Sequence, residues 1–94
     1  MIKIDESIVQ SKLSTFPGWK FENNALEKKF LFSDFREAMC FMVKVSYNCE
    51  KNNHHPEWTN VYNKLTIRLS THDAAGVTEK DFQLASEIDI IYGK

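Results

Sequence analysis

Two pairs of alternating segments, each joined by an asparagine-bearing turn and separated by one long helix-forming run, limit what this chain can fold into. Trp19-Lys20-Phe21-Glu22 alternates, Asn23-Asn24 reads as a turn, and Leu26 to Phe32 resumes as a strand. The pattern returns with Trp58 to Asn63, a tight turn at Asn63-Lys64, and Leu65, Ile67 and Leu69 alternating with Thr66, Arg68 and Ser70. Links this short impose antiparallel pairing. Asp5 can cap a short helix to about Leu13, which Pro17-Gly18 ends. Ser33 or Asp34 caps a long helix to about Lys51. Thr78-Glu79-Lys80-Asp81 is a capping-box pattern opening a last helix, with Phe82, Ala85, Ile88 and Tyr92 on one face and Ile91 beside them. The order helix-strand-strand-helix-strand-strand-helix predicts an α+β fold, a four-stranded antiparallel sheet with three helices packed on one face. Residues 1–94 suffice for a single domain.

In the long helix, Phe35, Ala38, Met39, Met42, Val43, Ser46 and Cys49 recur at helical spacing and define the expected core face. Phe41 and Val45 widen the apolar arc to roughly half the circumference, at about 100° per residue. One sheet contact does not need so wide an arc. A small chain gains stability by assembling, so the excess points to a subunit interface, and hence to a homodimer or homotetramer. Cys40 and Cys49 lie in the same predicted helix, about 13 Å apart along its axis, beyond disulfide reach. Reduced cysteines fit a cytoplasmic or nuclear compartment. A net charge of −1 offers no basic field for nucleic acid, so direct nucleic-acid binding is not expected. No apolar run approaches the ~20 residues of a membrane span, and Met1 to Glu6 lacks the start of a secretory signal.

The chemistry sits in residues 50–81. All three histidines, His54, His55 and His72, fall there, with Glu50, Asp73 and Asp81. Imidazole both gives and takes protons near neutral pH, so the grouping suggests a proton-transfer site. The topology supports this. His54 and His55 precede the third strand and His72 follows the fourth, so the open end of that hairpin brings them to one rim of the sheet. Glu50, a turn back on the helix, and Asp81, opening the last helix, converge on the same rim. Taken singly, each has an ordinary reading: His54-His55 as loop polar residues, Pro56 as a stiff loop residue, Trp58 as core, Asp81 as a helix cap. Adjacent histidines diverge and rarely share a metal ion. Neither an H-x-x-x-H pair nor C-x-x-C occurs, so no metal site is expected. The absence of G-x-S-x-G and G-x-G-x-x-G leaves hydrolase and dinucleotide readings unsupported.

Glu50-x3-His54-His55-Pro56-x5-Tyr62-x9-His72-x8-Asp81 resembles the signature of the pterin-4a-carbinolamine dehydratases. His54-His55-Pro56-Glu57-Trp58, Asn60-Val61-Tyr62-Asn63-Lys64 and Leu69-Ser70-Thr71-His72 with Gly76 carry the likeness, and Asn53 stands where some relatives have aspartate. The resemblance implies dehydration of a 4a-hydroxy-tetrahydropterin to the quinonoid dihydropterin without a cofactor. It implies His54 and His72 as main acid–base residues, with His55 binding and assisting. Glu50 would orient the histidine pair. Pro56, Thr71, Asp73 and Asp81 would shape a pocket walled by Trp58. It further implies dimers or tetramers and, as a second role, helix-to-helix contact with a homeodomain transcription factor.

Overall fold

A computed structural model describes residues 2–93. Asp5 caps α1 (Glu6–Lys12), its carboxylate accepting from the Ser7 amide. The hairpin of β1 (Lys20–Glu22) and β2 (Ala25–Leu31) follows, and Glu22 pairs with Ala25. Asn23 and Asn24, the two turn residues, have φ of 50° and 64°. This is the left-handed pair that matches the twist of a two-residue hairpin and that asparagine tolerates. Asp34 is the cap of α2 (Phe35–Asn52): its Oδ1 accepts from the Glu37 amide at 2.8 Å, and Glu37 Oε1 accepts from the Ser33 amide at 3.0 Å. Asn53, at φ 50°, ends the helix in the left-handed conformation.

The second hairpin joins β3 (Glu57–Val61) to β4 (Lys64–Leu69), and α3 (Glu79–Tyr92) closes the chain. The sheet order is β1-β2-β4-β3, all antiparallel, so the two hairpins meet along β2 and β4. The predicted α+β architecture is the one observed. The second turn differs: β3 stops at Val61, and Tyr62-Asn63 forms the turn, with Tyr62 at φ 53°. Asn63 is drawn out of the strand because its backbone and side chain both bond the backbone of Phe32, at 2.9 Å each. Asn60 bonds the carbonyls of Tyr62 and Lys64 and secures the turn.

Leu26 and Phe30 of β2 and Leu65, Ile67 and Leu69 of β4 line the buried face of the sheet, covered by Val9 of α1, Phe41 and Val45 of α2, and Leu84 and Ile88 of α3. The other face carries a charge lattice, in which Arg68 pairs with Glu27 and Glu57, and Lys20 with Glu22 and Glu27.

The helical faces need a correction. The buried line of α2 is Ala38, Phe41, Val45 and Cys49, whereas Phe35, Met39 and Val43 are 50%, 40% and 53% exposed. Phe41, expected at the margin, is central: its ring lies 5.4 Å from Phe30, 5.1 Å from Phe32 and 5.7 Å from Tyr92. Three aromatic neighbours outweigh the thinner packing that Phe35 or Met39 could gain, and they fix the rotation of the helix. The arc is as wide as expected, but its exposed part is Phe35, Met39, Val43 and Tyr47. Both cysteines are free thiols, Cys40 exposed and Cys49 buried.

Candidate active site

Three segments meet at the rim where the β3–β4 hairpin opens. The left-handed turn at Asn53 reverses the chain after α2, and the His54 amide bonds the Cys49 carbonyl at 3.0 Å. This sends His54 inward, where it is only 8% exposed. Its Nε2 lies 2.5 Å from Oδ1 of Asp81, a carboxylate with no solvent exposure. Oδ2 of Asp81 accepts from the Thr78 amide and from the Thr71 hydroxyl, both at 2.9 Å. Because Thr71 donates to Asp81, its oxygen accepts from the Thr78 hydroxyl, 2.7 Å away, and Thr78 in turn accepts from the Lys80 amide. Each buried side-chain polar atom of this network has a hydrogen-bond partner, as burial demands.

Asp81 is therefore the third residue of a capping box and the partner of His54 at once. The bond to Asp81 engages Nε2 of His54, one of two ring nitrogens that can each carry a proton. Carboxylate-held imidazole is the arrangement that fixes a tautomer and stabilises an imidazolium.

His55, next in the chain, points the other way. Its Nε2 lies 2.6 Å from Oε2 of Glu50, and both side chains are exposed. His55 and Pro56 line an open cleft of about 260 Å³ together with His72, Ser70, Ala25, Glu57 and Arg68. His72 stands exposed on a one-turn 3₁₀ helix, residues 72–74. Asp73, on the same turn, is exposed and does not line the cleft. Thr71 lies beneath it in the Asp81 network. Trp58, expected as the aromatic wall, is not in the cleft. It pairs with Ile67, on the helix-facing side, and packs partly buried against the core. Alternation along β3 puts Glu57, not Trp58, on the cleft side.

Arg68 is the residue that sequence reasoning missed. It shares a strand face with Ser70, two residues before the His72 turn, and that parity was the available signal. Its Nε bonds Glu57 and its Nη1 bonds Glu27, both at 3.1 Å.

The end of α2 is tied to α3 by a polar cluster. Asn48 and Asn52 both donate to Glu87 Oε1, at 2.6 and 2.9 Å, and Gln83 donates to Oε2. Burial alone would push the Glu87 carboxyl up, but these hydrogen bonds, with Lys51 nearby, hold it below the usual range. Burial, then the charge of Glu50, pushes the Cys49 thiol up. Among the described residues no group of three or more His, Cys, Asp or Glu side chains is placed to hold a metal ion.

The fold is that of a small α+β protein that gathers its three imidazoles at one rim of the sheet. A family model, pterin 4 alpha carbinolamine dehydratase, matches residues 2–91, and the chain belongs to that family. A protein of Prochlorococcus marinus (strain MIT 9515) named "Putative pterin-4-alpha-carbinolamine dehydratase" is 51% identical over 82 residues, 87% of this chain and 85% of the relative. One of the same name from Christiangramia forsetii is 46% identical over 91 residues, 97% and 94% of the two chains. The crystal structure of a transcriptional coactivator/pterin dehydratase from Brucella melitensis superimposes with a TM-score of 0.93 at 36% identity, covering 97% of this chain and 99% of the other. A pterin dehydratase-like RuBisCO assembly factor of the alpha-carboxysome shares the fold, with a TM-score of 0.66 at 18% identity.

Proposed function

We propose that this protein dehydrates 4a-hydroxy-tetrahydropterin to quinonoid dihydropterin and water, within recycling of the tetrahydropterin cofactor of aromatic amino-acid hydroxylases. One observation carries the reading: two exposed imidazoles, His55 and His72, line a single cleft, and a third, His54, next to His55 in the chain, is held by a buried carboxylate. The reaction asks for little else. Protonation of the 4a-hydroxyl lets the N5 lone pair expel it as water, and a base takes the N5 proton. Groups titrating near neutral pH do both.

His55 and His72 reach the cleft and exchange protons with the substrate. Glu50 orients His55 and balances its charge when protonated. His54, its Nε2 committed to Asp81, serves through its remaining nitrogen and supports the loop that carries His55. The resemblance ranked His54 above His55; exposure favours the reverse for direct transfer. Stopped-flow dehydration of 4a-hydroxy-tetrahydropterin tests the proposal, and a rate no faster with protein than in buffer would overturn it.

A second reading concerns assembly. Phe35, Met39, Val43 and Tyr47 recur every fourth residue as an exposed apolar stripe on α2. Such a stripe suits helix-to-helix contact, either between copies in a homodimer or homotetramer or with a transcription-factor helix. The coactivator named in the Brucella structure favours keeping the second partner in view.

A further inference from the structure

His72 stands on a loop that is held differently at its base and at its tip. At the base, the Thr71 amide bonds the Gly76 carbonyl at 2.8 Å, and Thr71 is sealed into the Asp81 network. At the tip, Ala75 sits in the left-handed region at φ 57°, and its amide holds the carbonyl of His72 at 3.0 Å. A side-chain hydrogen bond from outside the loop reaches this tip. Nδ2 of Asn24, in the β1–β2 turn, donates to the Ala75 carbonyl at 2.6 Å. The turn is itself held from the opposite side, since Arg68 Nη2 donates to the Asn23 carbonyl at 3.1 Å and Nη1 to that of Glu22 at 3.4 Å. Two carboxylates, Glu27 and Glu57, fix the guanidinium in place.

We propose that Asn24 is a positioning residue for His72: through Ala75 it sets where the imidazole stands in the cleft, and Arg68 keeps Asn24 in place. The carbonyl that Asn24 holds belongs to the residue whose amide holds the His72 carbonyl. A shift of Ala75 therefore passes to His72 through one hydrogen bond. Sub-ångström placement of a proton donor matters, because a group displaced by about 1 Å can lose up to 10²-fold in rate. A simpler explanation of Asn24 is its tolerance of φ 64°. Glycine tolerates that conformation better and has no amide, so it separates the two roles. Aspartate keeps the shape but offers an acceptor where the Ala75 carbonyl needs a donor.

The kinetic arm rests on the dehydratase reading; the spectroscopic arm does not. Asn24→Gly and Asn24→Asp are compared with wild type and with Asn60→Ala, which removes a side-chain donor that secures the other hairpin turn. Amide exchange at Ala75 and Gly76 and the ring-proton shifts of His72 are followed by NMR. Both Asn24 variants are expected to exchange faster at the loop tip and to move the His72 resonances, while Asn60→Ala leaves them unchanged. In the dehydration assay kcat falls roughly 10-fold in the Asn24 variants with little change in KM. Wild-type exchange and His72 shifts in both variants would overturn the inference. Altered NMR with no dehydratase activity in the wild type would uphold the placement of His72 and refute the dehydratase reading alone.

Discussion

Replacing Asp81 tests the centre of the structure. Its carboxylate, fully buried, receives the Thr78 amide, the Thr71 hydroxyl and Nε2 of His54. Asp81→Ala strips all three of their acceptor. Each buried group left unpaired costs about 1–3 kcal/mol, but relaxation and entering water recover a share. With three groups left unpaired and part of the cost recovered, the expected loss is roughly 3–5 kcal/mol. A domain of this size has about 5–15 kcal/mol in total, so the variant should fold but sit near its limit. With a urea dependence of ~2 kcal/mol per M, the midpoint should fall by roughly 2 M, followed by far-UV circular dichroism and by the fluorescence of Trp19 and Trp58. Asp81→Asn keeps one acceptor oxygen and should lose less, since only one side of the network then faces an amide N–H. The His54→Ala/Asp81→Ala pair should be non-additive by about 1–3 kcal/mol, because the two side chains share one contact. A loss below about 1 kcal/mol for Asp81→Ala, additive with His54→Ala, would refute this account of the buried network.

His72→Ala and His55→Ala should each lower the catalysed dehydration rate by about 10²-fold or more while leaving the unfolding midpoint near wild type, because both side chains are exposed; near-native turnover in both would remove them from the mechanism. Glu87 has a depressed pKa in the folded state, so its contribution to stability is present above the ordinary glutamate value and is lost as pH falls through the folded one. Acid titration of Glu87→Gln, monitored by circular dichroism, should accordingly show a shallower decline over that window than wild type; an identical decline would count against the cluster. Met39→Glu with Val43→Glu should leave the fold intact and shift any assembly towards smaller species in sedimentation velocity. Unchanged assembly in that variant would take the α2 stripe out of the interface.

The sheet was legible because its determinants are local. Asparagine turns and alternation specified both hairpins, and Thr78 to Asp81 announced the start of α3. Orientation about an axis was harder. In α2 two apolar lines run side by side, and hydrophobicity cannot say which one the sheet selects when both are apolar. The choice fell to Phe30, Phe32 and Tyr92, residues far away in sequence that surround Phe41. Trp58 shows the same limit in a strand. Alternation states which residues share a face but not which face is buried. The convergence of His54, His55, His72, Glu50 and Asp81 on one rim was visible from topology, whereas the division into an inner pair, His54–Asp81, and an outer pair, His55–Glu50, was not. That division depends on the reversal at Asn53, and a single left-handed residue leaves little trace in a sequence.

The sheet order places a seam between β2 and β4, where two hairpins that could each form from neighbouring residues are joined, Leu26 lying beside Leu69. The cleft straddles that seam. Ala25 and the Asn24 brace come from the first hairpin, while His55, Arg68 and the His72 loop come from the second half of the chain. Neither half holds a complete cleft before they dock, and docking is the slow, non-local event in such a topology. A molecule bound in the cleft would act as a rivet across the join, and its free energy of binding would be drawn from the same equilibrium that keeps the halves together.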